Sequence, residues 1–409
     1  MLRTDFSLVL GIILFGYIFL IFYQGQYSRA ETSITENFQA KQNSTKSTNK
    51  IINTVATLKN TNRDVSISPQ EYDREKNCTP DTSKRATSIE YLTYFNCGRN
   101  HDNNGATSRE FTLIIRENQR ISIANNGLKF DAWTFNETVP GPTMRMTEGD
   151  LVKITVINSA DNKLPHSLHM HSIHPSEMDG VDGTGGSILP GHSYTYKFVA
   201  QPYGVYPYHC HMSPVDQHIN NGLYGMMIID PKIPRPHMKE MAMLMNGYDL
   251  DYEKEGEGSG KIPTPEEAKS GKLPEEKDHT NEVYTVNGKA FDYMDNPITL
   301  ESGKPYRIYL LNMLQFDLIN TFHIHGTLFH YFPSGTSQTS DYTNDIVAMS
   351  EADRGVLEFK FDYPGRYMFH AHKAEFADLG WMGFFDVKNK ASPISNFPIE
   401  QEKHNEHHS

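Results

Sequence analysis

Two histidines flank a cysteine at His209, Cys210 and His211, and a third histidine, His218, follows eight residues after the cysteine. One thiolate and two imidazoles are the ligands of a blue-copper electron-transfer centre, which also carries a weak axial group. Cys210 and His218 fit two of these positions, and His166, from an earlier histidine-rich stretch, fits the third. The residue types therefore predict a mononuclear copper site held by His166, Cys210 and His218.

The neighbours of the cysteine indicate a second metal site. If residues 206–211 form a β-strand, successive side chains point to opposite faces, so Cys210 faces one metal while His209 and His211 face another. One short strand would then join two metal centres through covalent bonds. Taken alone, the motif also fits zinc, or a buried cysteine beside surface histidines. Three further His-x-His pairs in the chain argue against that interpretation.

Four His-x-His pairs occur in the chain, two in each half, and on a strand each pair places both imidazoles on one face. Their eight imidazoles could bind three copper ions. The predicted ligands are His169, His171, His209, His211, His323, His325, His370 and His372. Asn320 stands where His166 stands in the first half, and Ala371 stands where Cys210 does. The second half therefore keeps the histidine set and lacks the blue-copper ligands.

The two halves also repeat in their strand pattern. Residues 149–158 and 303–312 predict strands of equal length that end in Asn shortly before a histidine cluster, and residues 198–209 and 361–370 are similarly related. Short strands bounded by Gly, Pro and Asn turns are typical of a β-sandwich. The sequence predicts an all-β fold made by internal duplication of one sandwich.

Composition divides the chain into five segments. These are a membrane anchor or signal segment at 1–30, a polar tether and Cys-containing extension at 31–107, a first domain at 108–232, a second domain at 233–390 with an acidic insertion at 251–280, and a polar tail at 391–409. The net charge of −12 argues against a nucleic-acid partner, because phosphate binding needs a basic surface.

Residues 6–23 contain no charged side chain and are just long enough to span a bilayer. They predict an N-terminal transmembrane helix, with a cleaved signal helix as the alternative. In either case the remainder is expected to be extracytoplasmic, either anchored at the outer face of the cell membrane or secreted. An exported protein can keep Cys78 and Cys97, which are close in sequence, as a disulfide. Two free thiols are the alternative.

The four ordered His-x-His pairs with a central cysteine resemble the motifs of the multicopper oxidases and the copper nitrite reductases, over about residues 108–390. This resemblance implies two cupredoxin-like Greek-key β-sandwich domains. It implies a type 1 copper at His166, Cys210 and His218, and a trinuclear type 2/type 3 copper cluster at the eight paired histidines. It also implies a homotrimer, in which the cluster forms between the first domain of one subunit and the second domain of its neighbour.

Two positions distinguish the chain from the copper nitrite reductases that it resembles. In those enzymes an aspartate follows the first copper histidine by three residues, and a non-histidine follows the cysteine. Here those residues are His169 and His211, and His370 adds a further imidazole.

These changes favour a multicopper oxidase, which couples one-electron oxidation of a donor to reduction of dioxygen to water. Reduction of nitrite to nitric oxide is the alternative, and a non-catalytic blue-copper electron carrier is a second. The sequence leaves open whether the donor is a small molecule or a partner cupredoxin.

The resemblance also assigns roles to residues beside the ligands. Leu223 lies where many members have an axial methionine, and loss of that thioether should raise the copper reduction potential. Asp179 matches an acidic residue that the oxidases place near the cluster as a proton relay; a turn aspartate before glycine is the alternative. Asp378 and Glu375 are weaker candidates for the same role. His174 is at the wrong spacing for a ligand, which indicates a place beside the ligands or on the surface.

Overall fold

The strand at Leu151–Asn158 shows how the sequence pattern forms the sheets. Val152, Ile154 and Val156 alternate with more exposed neighbours and are almost fully buried. This period of two is expected for a strand that packs one face on a core. The equivalent strand of the second half, Pro305–Asn312, is buried along nearly its whole length. One of its faces packs on the core of its own half, and the other packs against the first half.

The computed structural model describes residues 88–103, 106–181, 183–252 and 279–389, all within one compact unit, Tyr72–Ser409. The first half forms two sheets. One contains β1 (Arg99–Asn103), β2 (Ala106–Ser122), β3 (Lys129–Phe135), β5 (Leu151–Asn158) and β7 (Ser193–Val199), in the order β1-β2-β5-β7 with β3 paired to β2. The other contains β4 (Met144–Thr147), β6 (His169–Met170), β8 (Gly204–His209) and β9 (Tyr224–Asp230), in the order β4-β9-β8-β6.

The second half also forms two sheets. One contains β10 (Lys239–Tyr248), β11 (Val283–Val286), β13 (Pro305–Asn312), β15 (Phe329–Pro333), β16 (Tyr342–Asn344) and β18 (Arg354–Lys360), in the order β11-β10-β13-β18-β15-β16. The other contains β12 (Ile298–Glu301), β14 (Asn320–Ile324), β17 (Ile346–Met349), β19 (Gly365–His370) and β20 (Met382–Lys388), in the order β12-β20-β19-β14-β17. The short helices are α1 (Ser88–Thr93), α2 (Val215–Asn220), α3 (Asp292–Asp295), α4 (Ala374–Asp378) and a 3-10 turn at Ser176–Met178.

The two halves use the same strand pairing. In the first, β5 runs parallel to β2 and antiparallel to β7; in the second, β13 runs parallel to β10 and antiparallel to β18. The expected all-β fold with two cupredoxin-like sandwich domains is confirmed. The predicted N-terminal helix at 6–23 lies outside the described residues. Within the described ranges, no helix is both long and apolar enough to cross a membrane.

A buried ionic network joins the two halves. Arg145 lies between Asp230 of the first half, at 2.8 Å, and Glu240 of the second, at 2.6 Å. Arg307 also contacts Glu240, at 2.7 Å, and Glu358, at 2.6 Å. Burial alone would raise the pKa of Glu240, but the two guanidinium groups outweigh it and lower that pKa to about 2. Because removing one partner of such a network leaves a buried charge uncompensated, the network favours one fixed arrangement of the two halves.

Candidate metal centres

Three segments bring the predicted type 1 residues together. Strand β8 ends at His209 and so places Cys210 directly after the strand, while α2 carries His218. His166 lies just before β6, in an isolated β-bridge. The loop between Cys210 and His218 is closed by backbone hydrogen bonds. The Cys210 N–H donates to the Leu223 carbonyl at 3.0 Å, and the Leu223 N–H donates to the His218 carbonyl at 3.1 Å.

His166, Cys210 and His218 form a compact buried group. Their ligand atoms all lie within 4.8 Å of one another, and none of the three side chains is more than 1% exposed. The Nδ1 atoms of His166 and His218 are 3.3 Å apart, and the Cys210 Sγ is 3.8 Å from the His166 Nδ1. One buried sulfur and two buried imidazole nitrogens that converge on one point fit the ligand set of a copper ion.

Neighbouring groups favour the charged forms of Cys210 and His166. Burial alone would raise the pKa of the Cys210 thiol, but His218 and His166 outweigh it and hold that pKa well below its usual range. Burial opposes the charged form of His166, yet Cys210 and Glu117 raise its pKa. Because the thiolate is the form of cysteine that binds metals, the site presents the sulfur in its ligand form.

Aromatic and aliphatic side chains surround the group, and the Ser167 N–H donates to the Cys210 Sγ at 3.3 Å. The Trp133 ring meets the His166 and His218 rings edge to face, at centroid distances of 5.5 and 4.9 Å. Leu223 is fully buried in the first-half core, and its expected effect on the potential stays a prediction. No sequence motif indicates Glu117, whose carboxylate lies 3.0 Å from the His166 Nε2.

Four histidines of the first half form a second group on the other side of β8; we call it set one: His169, His171, His209 and His211. His169 on β6 pairs directly with His209 on β8. The Nε2 atoms of His171 and His209 are 3.2 Å apart, and the His169 and His211 rings are 5.0 Å apart. The strand predicted over residues 206–211 ends at His209 in the structure. Cys210 nevertheless lies in the core, while its two neighbours join the histidine group.

Burial favours the neutral form of three set-one imidazoles. Burial is the main cause, with the neighbouring histidines adding to it, and the pKa is lowered to about 4 for His171 and about 3 for His209. Burial likewise lowers the pKa of His169. A neutral ring nitrogen keeps the lone pair that a metal ligand needs.

Four histidines of the second half form the equivalent group, set two: His323, His325, His370 and His372. His323 on β14 pairs with His370 on β19. The Nε2 atoms of His325 and His370 are 3.0 Å apart. Set two is more exposed than set one, because His325 and His372 lie on the surface of the described chain.

Backbone carbonyls orient corresponding histidines in the same way in both sets. The Nδ1 of His209 lies 2.8 Å from the Cys210 carbonyl, and that of His370 lies 2.7 Å from the Ala371 carbonyl. The Nδ1 of His169 is 2.9 Å from the carbonyl of Asp179, and that of His323 is 2.8 Å from the carbonyl of Asp345. A hydrogen bond at Nδ1 leaves Nε2 as the metal-binding atom, so four rings are oriented for ligation before any ion binds.

Asp179 lies beside set one, and its role as a proton relay stays a prediction. Its Oδ1 is 3.0 Å from the His169 Nδ1 and 3.4 Å from the His174 Nε2. His174 is therefore next to the ligands rather than on the far surface. The weaker candidates are less suited: Glu375 is exposed and contacts Lys373 at 3.4 Å, and Asp378 is exposed at the end of α4.

One prediction, the pairing of Cys78 with Cys97, falls partly outside the described ranges. Cys97 is disulfide-bonded, while Cys78, its predicted partner, lies outside the described residues.

The two histidine sets, in contrast, are fully described. In the described part of the chain, no group whose ligand atoms all lie within 4.8 Å combines histidines of both halves. The two four-histidine sets therefore form separate groups within the described chain.

Comparison with known proteins identifies copper proteins over both halves. Family models described as multicopper oxidase match residues 117–233 and 261–391. A copper-containing nitrite reductase of Neisseria meningitidis serogroup B is 28% identical over 295 residues, which are 70% of this chain and 72% of the relative. A copper resistance protein A homolog of Pseudomonas syringae pv. tomato is 38% identical over 152 residues, which cover 36% of this chain and 24% of that protein.

Solved structures show the same two kinds of relative. A multicopper oxidase is 41% identical with a TM-score of 0.65, and the match covers 74% of this chain and 97% of that one. A copper nitrite reductase from Nitrosomonas europaea is 25% identical with a TM-score of 0.57, covering 70% and 96% of the two chains. The similarity therefore extends over both sandwich domains and includes oxidases and nitrite reductases alike.

Proposed function

Because the chain belongs to the two-domain cupredoxin family of multicopper oxidases and copper-containing nitrite reductases, we propose that it is a multicopper oxidase. It couples one-electron oxidation of a donor at a type 1 copper to reduction of dioxygen to water at a trinuclear type 2/type 3 copper cluster. His166, Cys210 and His218 hold the first site, and the histidines of sets one and two hold the second. When bound, the copper ions supply redox chemistry that side chains alone do not provide.

The observation that carries this proposal is the matched pair of four-histidine sets. Two corresponding rings in each set are oriented by equivalent backbone carbonyls, which leaves their Nε2 atoms available to bind metal. Eight imidazoles exceed the needs of one catalytic ion and suit a cluster of three. His169 and His211 stand at the two positions where the nitrite reductase pattern lacks histidine.

The chain provides a short covalent route between its two kinds of site. The Cys210 sulfur belongs to the buried group with His166, whereas the adjacent His209 and His211 rings belong to set one. The covalent bonds of His209, Cys210 and His211 thus connect the type 1 site, where the electron enters, to the histidine set where dioxygen is reduced. Asp179 contacts His169 and His174, and in this proposal it relays protons to the cluster for water formation.

The exposure of set two supports assembly as a homotrimer, in which one subunit's set two meets a neighbour's set one. Large apolar side chains are exposed close to set two in sequence: Leu318 is 92%, Ile319 58% and Leu328 59% exposed. Exposed apolar surface around a half-site of metal ligands is expected where a partner covers it. Cyclic closure of such a contact gives each cluster one set from each of two subunits.

Nitrite reduction is the second candidate function, favoured by the curated relatives that are copper-containing nitrite reductases. The donor in either case is a small molecule or a partner cupredoxin. We further propose that residues 6–23 hold the enzyme at the outer face of the cell membrane. All of these features are compatible with a copper-dependent oxidoreductase of the extracytoplasmic space.

Substrate turnover distinguishes the two reactions. Copper-loaded protein is mixed with a reduced one-electron donor, either with dioxygen or with nitrite under argon. The oxidase is expected to oxidise about four donor equivalents per dioxygen consumed, and to give little nitric oxide from nitrite. Copper-free protein provides the background. Rapid nitric oxide formation with negligible oxygen uptake would reject the oxidase in favour of the reductase.

A further inference from the structure

We propose that Glu117 is a positioning residue of the type 1 site, which fixes the orientation of the His166 ring and lowers the reduction potential of copper bound there. This inference rests on the proposed type 1 site. It assigns a function to a carboxylate that lies 49 positions away in sequence from the ring it contacts.

The carboxylate of Glu117 is held firmly against His166. Its side chain is only 5% exposed, and its Oε1 lies 3.0 Å from the His166 Nε2. The backbone N–H of Lys163 donates to Oε2 at 3.1 Å, and that of Leu164 donates to Oε1 at 3.0 Å. The same group therefore binds the segment that precedes His166 and the ring itself.

An irregularity in β2 accompanies this placement. Arg116 pairs with Thr134 and Gln119 pairs with Ala132, so β2 contains one more residue than β3 between these pairs. Asn118 adopts a left-handed conformation with φ 54°. Such a bulge changes the direction of a side chain and interrupts the regular ladder. Glu117 lies within the bulge, which turns it towards His166.

The contact at Nε2 determines which ring nitrogen faces the other ligands. A carboxylate at 3.0 Å from Nε2 accepts the hydrogen bond of a ring protonated there, which leaves the lone pair on Nδ1. The Nδ1 atom is the one directed at Cys210 and His218, at 3.8 and 3.3 Å. Glu117 therefore selects the tautomer and the ring orientation that ligation requires.

The second half of the chain serves as an internal comparison. Strand pairing matches Ile115 with Asn158 in the first half and Met245 with Asn312 in the second. Two residues further on, Glu117 corresponds to Gly247. Asn320, which replaces His166, instead donates from Nδ2 towards the Met245 sulfur and the Asn312 Oδ1. Among the described residues, the carboxylate thus accompanies the imidazole and is absent where the imidazole is absent.

The expected electrostatic effect has a definite sign. A fixed negative charge in a buried environment stabilises the more positive of two charge states of a nearby centre. Oxidised copper carries one more positive charge than reduced copper, so the Glu117 carboxylate favours the oxidised form and lowers the potential. This effect opposes the increase expected from Leu223 at the axial position.

The test compares Glu117→Gln, Glu117→Leu and Asp150→Asn with the wild-type protein, all loaded with copper. Gln retains an oxygen that can accept the ring N–H but removes the charge, and Leu removes both. Asp150 is a matched control, because it is a buried carboxylate of the same domain that binds the Thr147 N–H and Arg109. Spectroelectrochemical titration of the blue band gives the potential, and thermal unfolding of each variant gives its stability.

In Glu117→Gln the blue band is expected to persist. The equilibrium constant for one-electron exchange between the bound copper and a reference couple should shift at least tenfold towards reduced copper. This shift corresponds to an increase of about 59 mV in the reduction potential of the copper. Glu117→Leu shifts in the same direction by at least as much and changes the band, while Asp150→Asn keeps the wild-type potential. If both Glu117 variants lose stability but keep the wild-type potential, the residue is merely structural and the inference is wrong. Absence of a blue band in the wild-type protein would instead reject the type 1 site itself.

Discussion

A Cys210→Ser variant is expected to lose the blue absorption band and to fall well over 100-fold in donor-dependent oxygen uptake. The reason is chemical: serine is not ionised at neutral pH, so it replaces a soft thiolate by a poor copper ligand. The same change removes the sulfur from the covalent route to His209 and His211. In many metal sites, mutation of a residue that only supports a ligand lowers metal affinity or activity about 10–100-fold. Loss of the ligand itself should therefore lower activity further.

The rest of the protein should tolerate this change. Serine is close to cysteine in size, so the melting temperature of the copper-free variant should stay near that of the wild type. The copper content should fall by about one ion per chain, because sets one and two are unchanged. Met226→Leu, a volume-conserving change in the core between the halves, serves as the control and should keep the blue band. Normal oxygen uptake by Cys210→Ser would show that electrons do not enter through this site.

Two inactive variants are expected to restore activity when their subunits are mixed. His169→Ala damages set one and His323→Ala damages set two, so each homogeneous protein should lose well over 100-fold of its oxygen uptake. In the proposed trimer a cluster takes set one from one subunit and set two from the next. If equal amounts of the two subunits assemble at random, about a quarter of the clusters contain both an intact set one and an intact set two. The mixture, prepared by co-expression or by dissociation and reassembly, should recover about that fraction of the wild-type activity.

The control mixture contains two variants damaged in the same set. His169→Ala mixed with His209→Ala has no intact set one, so its activity should remain at the level of either variant alone. Recovery in the first mixture and not in the second would support a cluster shared between subunits. If neither mixture recovers although size measurements show mixed oligomers, the two sets do not combine across subunits.

Sequence patterns predict the structure best where the short spacing of a residue type is compatible with only one local backbone conformation. The alternation expected around Cys210 matches its place in the core and the contact between the His209 and His211 rings, although the strand itself ends at His209. The strand repeats predict the paired sandwiches, because strand side chains follow a period of two regardless of the tertiary contacts.

Long-range contacts could not be predicted in the same way. Glu117 reaches His166 only because a bulge in β2 turns it inward, and an ordinary glutamate in a strand gives no sign of this. The ionic network of Arg145, Glu240 and Arg307 needs three distant segments to meet. His174 is at the wrong spacing for a ligand, and its place beside Asp179 depends on the turn that separates them.

The number of copper ions per chain in purified, copper-loaded protein decides whether the two histidine sets build a trinuclear cluster. It is measured together with the absorption and paramagnetic-resonance spectra of the same sample. The proposed oxidase predicts about four ions per chain, a blue band, and a pair of ions that is silent in the resonance spectrum. About two ions per chain, both visible in that spectrum, would mean that the two histidine sets do not build a trinuclear cluster, and the account would be contradicted.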